Sequence, residues 1–104
     1  MAYCQIVENP EGGEQQFEQI KAHLRASGTY PPDGQLLMIA GPAEPGWRVI
    51  SVWESQEKLD RFYTGHFPAA CRAAGIDSID PMKRTIFGVQ TLVAGDLMGA
   101  PQPA

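Results

Sequence analysis

Residues 47–54 read WRVISVWE, a strand with no polar side. Trp47, Val49, Ser51 and Trp53 alternate onto one face, and Ile50 and Val52 onto the other, between Arg48 and Glu54. The LLMIA run at 36–40 is apolar throughout. An antiparallel sheet with one wet face alternates apolar and polar residues, so strands of this kind require cover on both sides. The chain has 104 residues, the length of one domain.

The remaining segments decide what that cover is. AYCQIVE (2–8) alternates as a strand, with Tyr3, Gln5 and Val7 on one side and Cys4, Ile6 and Glu8 on the other. NPEGG (9–13) breaks it, and from Glu14 the apolar positions Phe17, Ile20 and Leu24 recur at helical spacing until Ser27-Gly28. LLMIAG (36–41) is a second strand, and the short PAEPG link into Trp47 predicts an antiparallel hairpin. Ser55 is a good N-cap for a helix carrying Leu59, Phe62, Tyr63 and His66 at i, i+3, i+4, i+7. Gly65 and Pro68 predict a break, because proline disfavours helical geometry at Phe67. Pro68 then opens a short helix closed by Gly75, and KRTIFGVQTLVAG (83–95) reads as a long last strand. Residues 1–95 thus form one domain, and 96–104, rich in Pro and small residues, read as a frayed tail.

The order β-α-β-β-α-β predicts an α+β, ferredoxin-like domain: a four-stranded antiparallel sheet with two helices on one face. Two helices cover one face only. The simplest cover for the other is a second copy of the chain, packed about a two-fold axis.

Several function classes are excluded by composition. A net charge of -4 with scattered Lys and Arg lacks the basic footprint that nucleic acid or an anionic membrane surface requires. No apolar run approaches the roughly 20 residues of a membrane span, and the N-terminus lacks signal-peptide patterning, so a cytoplasmic location is expected. Cys4 and Cys71 form no CxxC pair, the His and Cys residues are too scattered for a metal site, and no Gly-rich nucleotide loop occurs. No cofactor and no metal is expected.

The hairpin strand VISVWES flowing into EKLDRFYTGHFPAACRAAG resembles the dimeric α+β barrel superfamily, and within it the antibiotic biosynthesis monooxygenase-like proteins, over about residues 2–95. The resemblance implies a homodimer whose two sheets form a barrel, with a ligand pocket between the sheet and helices of each subunit. The superfamily includes cofactor-independent quinone-forming monooxygenases, haem-degrading enzymes, isomerases, cyclases and proteins without known activity, so fold alone does not settle function. The haem-degrading branch carries an Asn on the first strand, a Trp on the second helix and an axial His after it. Those positions fall here on Gln5, Phe62 and Cys71, which all depart from the pattern and speak against haem degradation.

His66, ending an apolar stripe one turn after Tyr63, is the candidate for proton transfer, with a solvated residue at the helix end as the plain alternative. Gln5, polar on a strand buried on both sides, requires a hydrogen-bond partner, and the resemblance places it in the pocket. Tyr3 shares its side, and Trp53 brings an indole N–H that seeks a partner. Catalytic roles are thus expected of His66 and Tyr63, and ligand contacts of Gln5, Tyr3, Trp53, Phe62 and Cys71. The function expected is that of a small-molecule enzyme resembling cofactor-independent monooxygenases, acting on an apolar, aromatic or polyketide-like compound. A cofactor-free cyclase or isomerase, or a non-catalytic ligand-binding barrel, would use the same pocket.

Overall fold

The computed structural model describes residues 1–95; the tail read at 96–104 lies outside the described residues. Strand β1 (Tyr3–Asn9) leads to helix α1 (Glu14–Ala26), then to β2 (Gln35–Pro42) and β3 (Trp47–Trp53). A continuous helical stretch follows, made of α2 (Gln56–Arg61), a π turn (Phe62–His66) and α3 (Phe67–Ala73), and β4 (Lys83–Gly88) closes the fold. The four strands form one antiparallel sheet in the order β2-β3-β1-β4. This is the ferredoxin-like β-α-β-β-α-β fold, with the helices on one face. No helix among the described residues is long and apolar enough to cross a membrane.

The hairpin from β2 to β3 turns at Gly46, whose φ of +91° suits glycine alone. A Cβ there would also lie 1.9 Å from the carbonyl oxygen of Asn9. Ser55 caps α2, its hydroxyl accepting from the Lys58 N–H at 3.2 Å.

Two sequence-based expectations need correcting. The helix does not break at Phe67, which has helical φ −66° and ψ −48°. Pro68 lacks an N–H and its ring would crowd the carbonyl four residues earlier. The π turn widens the helix at that point, and the Phe67 N–H reaches back to the Phe62 carbonyl, five residues away. The last strand is also shorter than its composition suggests. Gly88 pairs with Tyr3, the first residue of β1, and after the Val89 N–H bonds the Ala2 carbonyl there is no partner strand left.

The register divides the sheet into two faces. Gln5, Val7, Met38, Trp47, Val49 and Ser51 look toward the helices. Their neighbours point the other way and line up across all four strands, as Leu37–Val52–Cys4–Phe87 and Ile39–Ile50–Ile6–Thr85. A third row, Gly41–Arg48–Glu8–Lys83, is polar at its rim, where Arg48 and Glu8 pair at 3.1 Å. In the single chain Ile39 and Phe87 are 55% and 50% exposed. The doubly apolar strand therefore meets helices on one side; on the other, Cys4 and Val52 are buried at the centre of the sheet, and Ile39 and Phe87 stand exposed toward its edges.

On the helix side, Ile20 and Leu24 of α1 pack on Ala70 and Cys71 of α3. Cys71 is 1% exposed, and burial pushes its thiol up to about 11, from an ordinary 9.0. Folding thus holds a proton that the unfolded chain releases above pH 9. The resulting stability is intact below that point and is lost as pH rises through about 11. A rise of that size corresponds to about 2–3 kcal/mol. Urea unfolding between pH about 9 and about 11 is expected to show wild type losing that much more stability than Cys71→Ala; equal losses would contradict the assignment.

Candidate functional site

Between the sheet and the helices lies a cavity of about 90 Å³, open at one side. Its floor is Val7, Val49 and Met38, its walls Phe17, Ile20 and Leu24 of α1 with Phe62, Tyr63 and Phe67 of the second helical stretch. Aromatic packing fixes the second wall: Phe62 lies 5.2 Å from Trp53 and 5.8 Å from Phe67, and Tyr63 stacks on Phe67 at 5.4 Å. Of the polar side chains in this lining, Gln5 and Ser51, which face each other across β1 and β3, are both buried.

Gln5 owes its setting to a residue that sequence reasoning does not single out. Arg84, opposite Val7 on β4, donates from Nε to the Gln5 Oε1. Its guanidinium also lies 3.8 Å from the centroid of the Tyr63 ring and 3.4 Å from the Asp60 carboxylate. Arginine has donors and no acceptor, so the amide oxygen of Gln5 must face it. The amide NH₂ is thereby turned from Arg84 and makes no hydrogen bond to another described residue. Ser51 is oriented in the same manner. The Trp53 indole N–H donates to Ser51 Oγ at 2.8 Å, which leaves the serine hydroxyl free to donate. Burial raises the Tyr63 hydroxyl above its ordinary value, partly offset by Arg84, so Tyr63 is a protonated donor at neutral pH. Gln5, Ser51 and Tyr63 thus present donors; Asn9, Gln16, Lys21, Tyr30 and Gln35 also line the cavity, and no Asp, Glu, His or Cys lines it among the described residues.

The candidates read from sequence separate into two groups. Gln5, Phe62 and Tyr63 meet in the cavity wall. Trp53 is completely buried one layer behind it, acting through Ser51. Tyr3 is half-buried on the same sheet face beyond the lining, opposite Trp53. Cys71 lies in the contact between α1 and α3, outside the cavity, with a thiol held protonated at neutral pH. His66 is exposed and borders a separate surface hollow with Asp33, Lys58 and Arg61. The π turn explains this position. It inserts one residue into the helical phase, so the inward stripe passes from Phe62 and Tyr63 to Phe67, Ala70 and Cys71 and skips His66. Among the described residues no group of three His, Cys, Asp or Glu is placed to hold a metal ion.

No protein-family model matches the sequence. Nor does any of the curated proteins compared with it. Solved structures do share the fold. A dimeric ferredoxin-like protein of unknown function from Jannaschia sp. CCS1 superposes with a TM-score of 0.57 at 16% identity, covering 86% of this chain and all of the other. Rv0793 from Mycobacterium tuberculosis gives 0.60 at 15% identity, covering 90% of this chain and all of that one. A point mutant of SnoaB, a cofactor-independent oxygenase from Streptomyces nogalater, gives 0.56 at 13% identity over 90% of this chain and 97% of that one. The chain thus has the ferredoxin-like fold of monooxygenase-like and dimeric proteins, at identities that speak to fold alone.

The relative weight of the Arg84 contacts can be measured. The Asp60 carboxylate is half-exposed, so its pairing contributes little, about 0.5 kcal/mol. Loss of Arg84 leaves the buried Gln5 oxygen without its donor, which costs about 2–3 kcal/mol. Chemical unfolding is expected to rank Arg84→Met well below Asp60→Asn; equal losses would show that the surface pair, rather than the buried amide, is what Arg84 serves.

Proposed function

We propose that this chain is a cofactor-independent, monooxygenase-like enzyme that works as a homodimer on a small aromatic, phenol-bearing or polyketide-like compound. The observation that carries the reading is the apolar cavity whose oriented polar groups are donors: the Gln5 amide, the Ser51 hydroxyl and the Tyr63 hydroxyl. Donors fixed before the reaction stabilise an oxyanion without having to reorganise. A phenol bound there ionises more readily, and the electron-rich phenolate reduces dioxygen directly. In the overall conversion of a phenol with a free para C–H to a quinone, one oxygen atom of O₂ becomes the new carbonyl. The other leaves as water, carrying the phenolic and the para hydrogen. The fold shared with a cofactor-independent oxygenase is consistent with this chemistry.

In this reading Gln5 and Tyr63 hold the developing anion, Phe62 packs on the ring, and Arg84 positions Gln5 from behind. His66, on the outer surface, receives no part in the cavity chemistry. A second reading, a ligand-binding barrel without catalysis, is favoured by the lack of a general base among the described lining residues. Oxygen uptake with a phenolic substrate decides between them. Turnover that falls roughly 10²-fold in Gln5→Leu and is unchanged in His66→Ala is expected, on the scale of losing one oxyanion donor. Binding without oxygen uptake would favour the non-catalytic barrel, and turnover that persists without oxygen would indicate a cyclase or isomerase.

The outer sheet face, where Ile39 and Phe87 stand exposed beside Leu37 and Ile50, is the surface through which two copies would pair, sheet against sheet. Soluble monomers rarely leave a large apolar patch in water. Sedimentation at micromolar concentration is expected to give twice the 11.3 kDa chain mass, and Ile39→Arg to give the single mass. A wild-type monomer would overturn the pairing.

A further inference from the structure

The large apolar side chains that stand exposed among the described residues are not scattered. Leu36 and Ile39 lie on β2, Phe87 on β4, and Leu92 and Val93 on the segment that follows β4. Met1, the remaining one, sits beside Gly88 at the end of β4. The order β2-β3-β1-β4 makes β2 and β4 the two edges of the sheet. Apolar exposure is thus confined to the edges and to what continues from one of them.

The two edges differ. An edge strand presents unpaired N–H and C=O groups, which natural sheets commonly guard with charged side chains. Lys83 and Arg84 stand on β4, whereas β2, QLLMIAGP, carries no charge over its eight residues. Its register against β3 is regular from Leu37 to Pro42, so an ordered row of backbone groups faces outward along it.

The segment after β4 has the complementary need. KRTIFGVQTLVAG has the composition of one strand, but its pairing with β1 ends at Gly88, and the last bond runs from the Val89 N–H to the Ala2 carbonyl. The chain then bends at Gln90, and residues 91–95 are exposed throughout, Leu92 at 53% and Val93 at 85%. Thr91 and Val93 favour extended backbone, yet among the described residues no backbone hydrogen bond involves 91–95. Five residues span roughly 17 Å at ~3.3 Å each, within the length of β2. The chain's own β2 lies at the opposite edge, beyond β1 and β3. A two-fold axis running along the strands, midway between two facing sheets, instead sets β4 of one copy over β2 of the other.

We propose that residues 91–95 add as a short strand to the free edge of β2 in a second copy of this chain, which returns the same segment. The exchange rests on the homodimer read from the outer sheet face, and it closes that dimer at both edges. It also covers the exposed apolar side chains of one edge with those of the other. Gln35 and Met38 of β2 line the cavity, so the partner's segment braces one wall of the ligand site.

The test is amide hydrogen exchange, read residue by residue, on wild type at a concentration where sedimentation shows the dimer and on Ile39→Arg as the monomer. Alternate amides within 91–95 are expected to exchange at least about tenfold more slowly in the dimer. Proline variants ask the same of the ladder. Along a strand successive N–H groups point to opposite edges, so one of Leu92→Pro and Val93→Pro is expected to weaken the dimer roughly tenfold, the scale of one lost hydrogen bond, and the other to change it far less. Free exchange of 91–95 in a wild-type dimer would overturn the strand exchange and leave the sheet pairing standing, as would proline variants that both dimerise like wild type. Protection that persists in Ile39→Arg would place the segment on its own chain and overturn the exchange. A wild-type monomer would remove the homodimer and the exchange together.

Discussion

Arg84 has only donors to offer, and the interior of this protein is arranged around that fact. Its guanidinium ties β4 to β1 through Gln5, and to the second helical stretch through the Tyr63 ring and Asp60. A glutamine buried in a sheet would ordinarily be a liability, since both ends of its amide need partners. Arg84 satisfies the oxygen and in doing so settles which way the NH₂ points. The half-exposed pair with Asp60 adds little energy beside this. What it supplies is a tether between the edge strand and the helix wall. The orientation of Gln5 and one face of the Tyr63 ring are set by this one side chain on the last strand, while Trp53 orients Ser51 and Phe67 stacks on Tyr63.

Two opposing effects act on any phenol that enters such a cavity. Removal from water disfavours the anion, as it does for Tyr63, whose hydroxyl burial pushes up. Oriented donors favour the anion, and here Gln5, Ser51 and Tyr63 are turned to provide them. No Asp, Glu, His or Cys stands among the described lining residues to take the proton, so the stability of the anion itself is what would drive ionisation. The chemistry turns on which of the two effects prevails.

Much of the fold is legible in residue patterns. The apolar alternation on both sides of WRVISVW, the Ser55 cap and the short hairpin link all describe local geometry, and the register confirms them. Gln5 is visible for the same reason, as a polar residue between Cys4 and Ile6 on a buried strand. Arg84 is not, because Lys83-Arg84 at the start of a strand reads as a solvated end and its partner lies 79 positions away. The helical phase fails where Pro68 forces a π turn, which moves His66 outward and Phe67 inward. The last strand reads too long because its length is set by where β1 begins, which is information carried by another strand.

The central claim is that the cavity stabilises an oxyanion by oriented donors. The most direct measurement is the ultraviolet titration of 2-naphthol bound to the protein, compared with 2-naphthol free in buffer. The account predicts that the bound phenol ionises at lower pH than the free one, with the difference reduced in Gln5→Leu. A bound phenol that ionises at higher pH would contradict it, showing that desolvation outweighs the donors and that the cavity holds neutral ligands only.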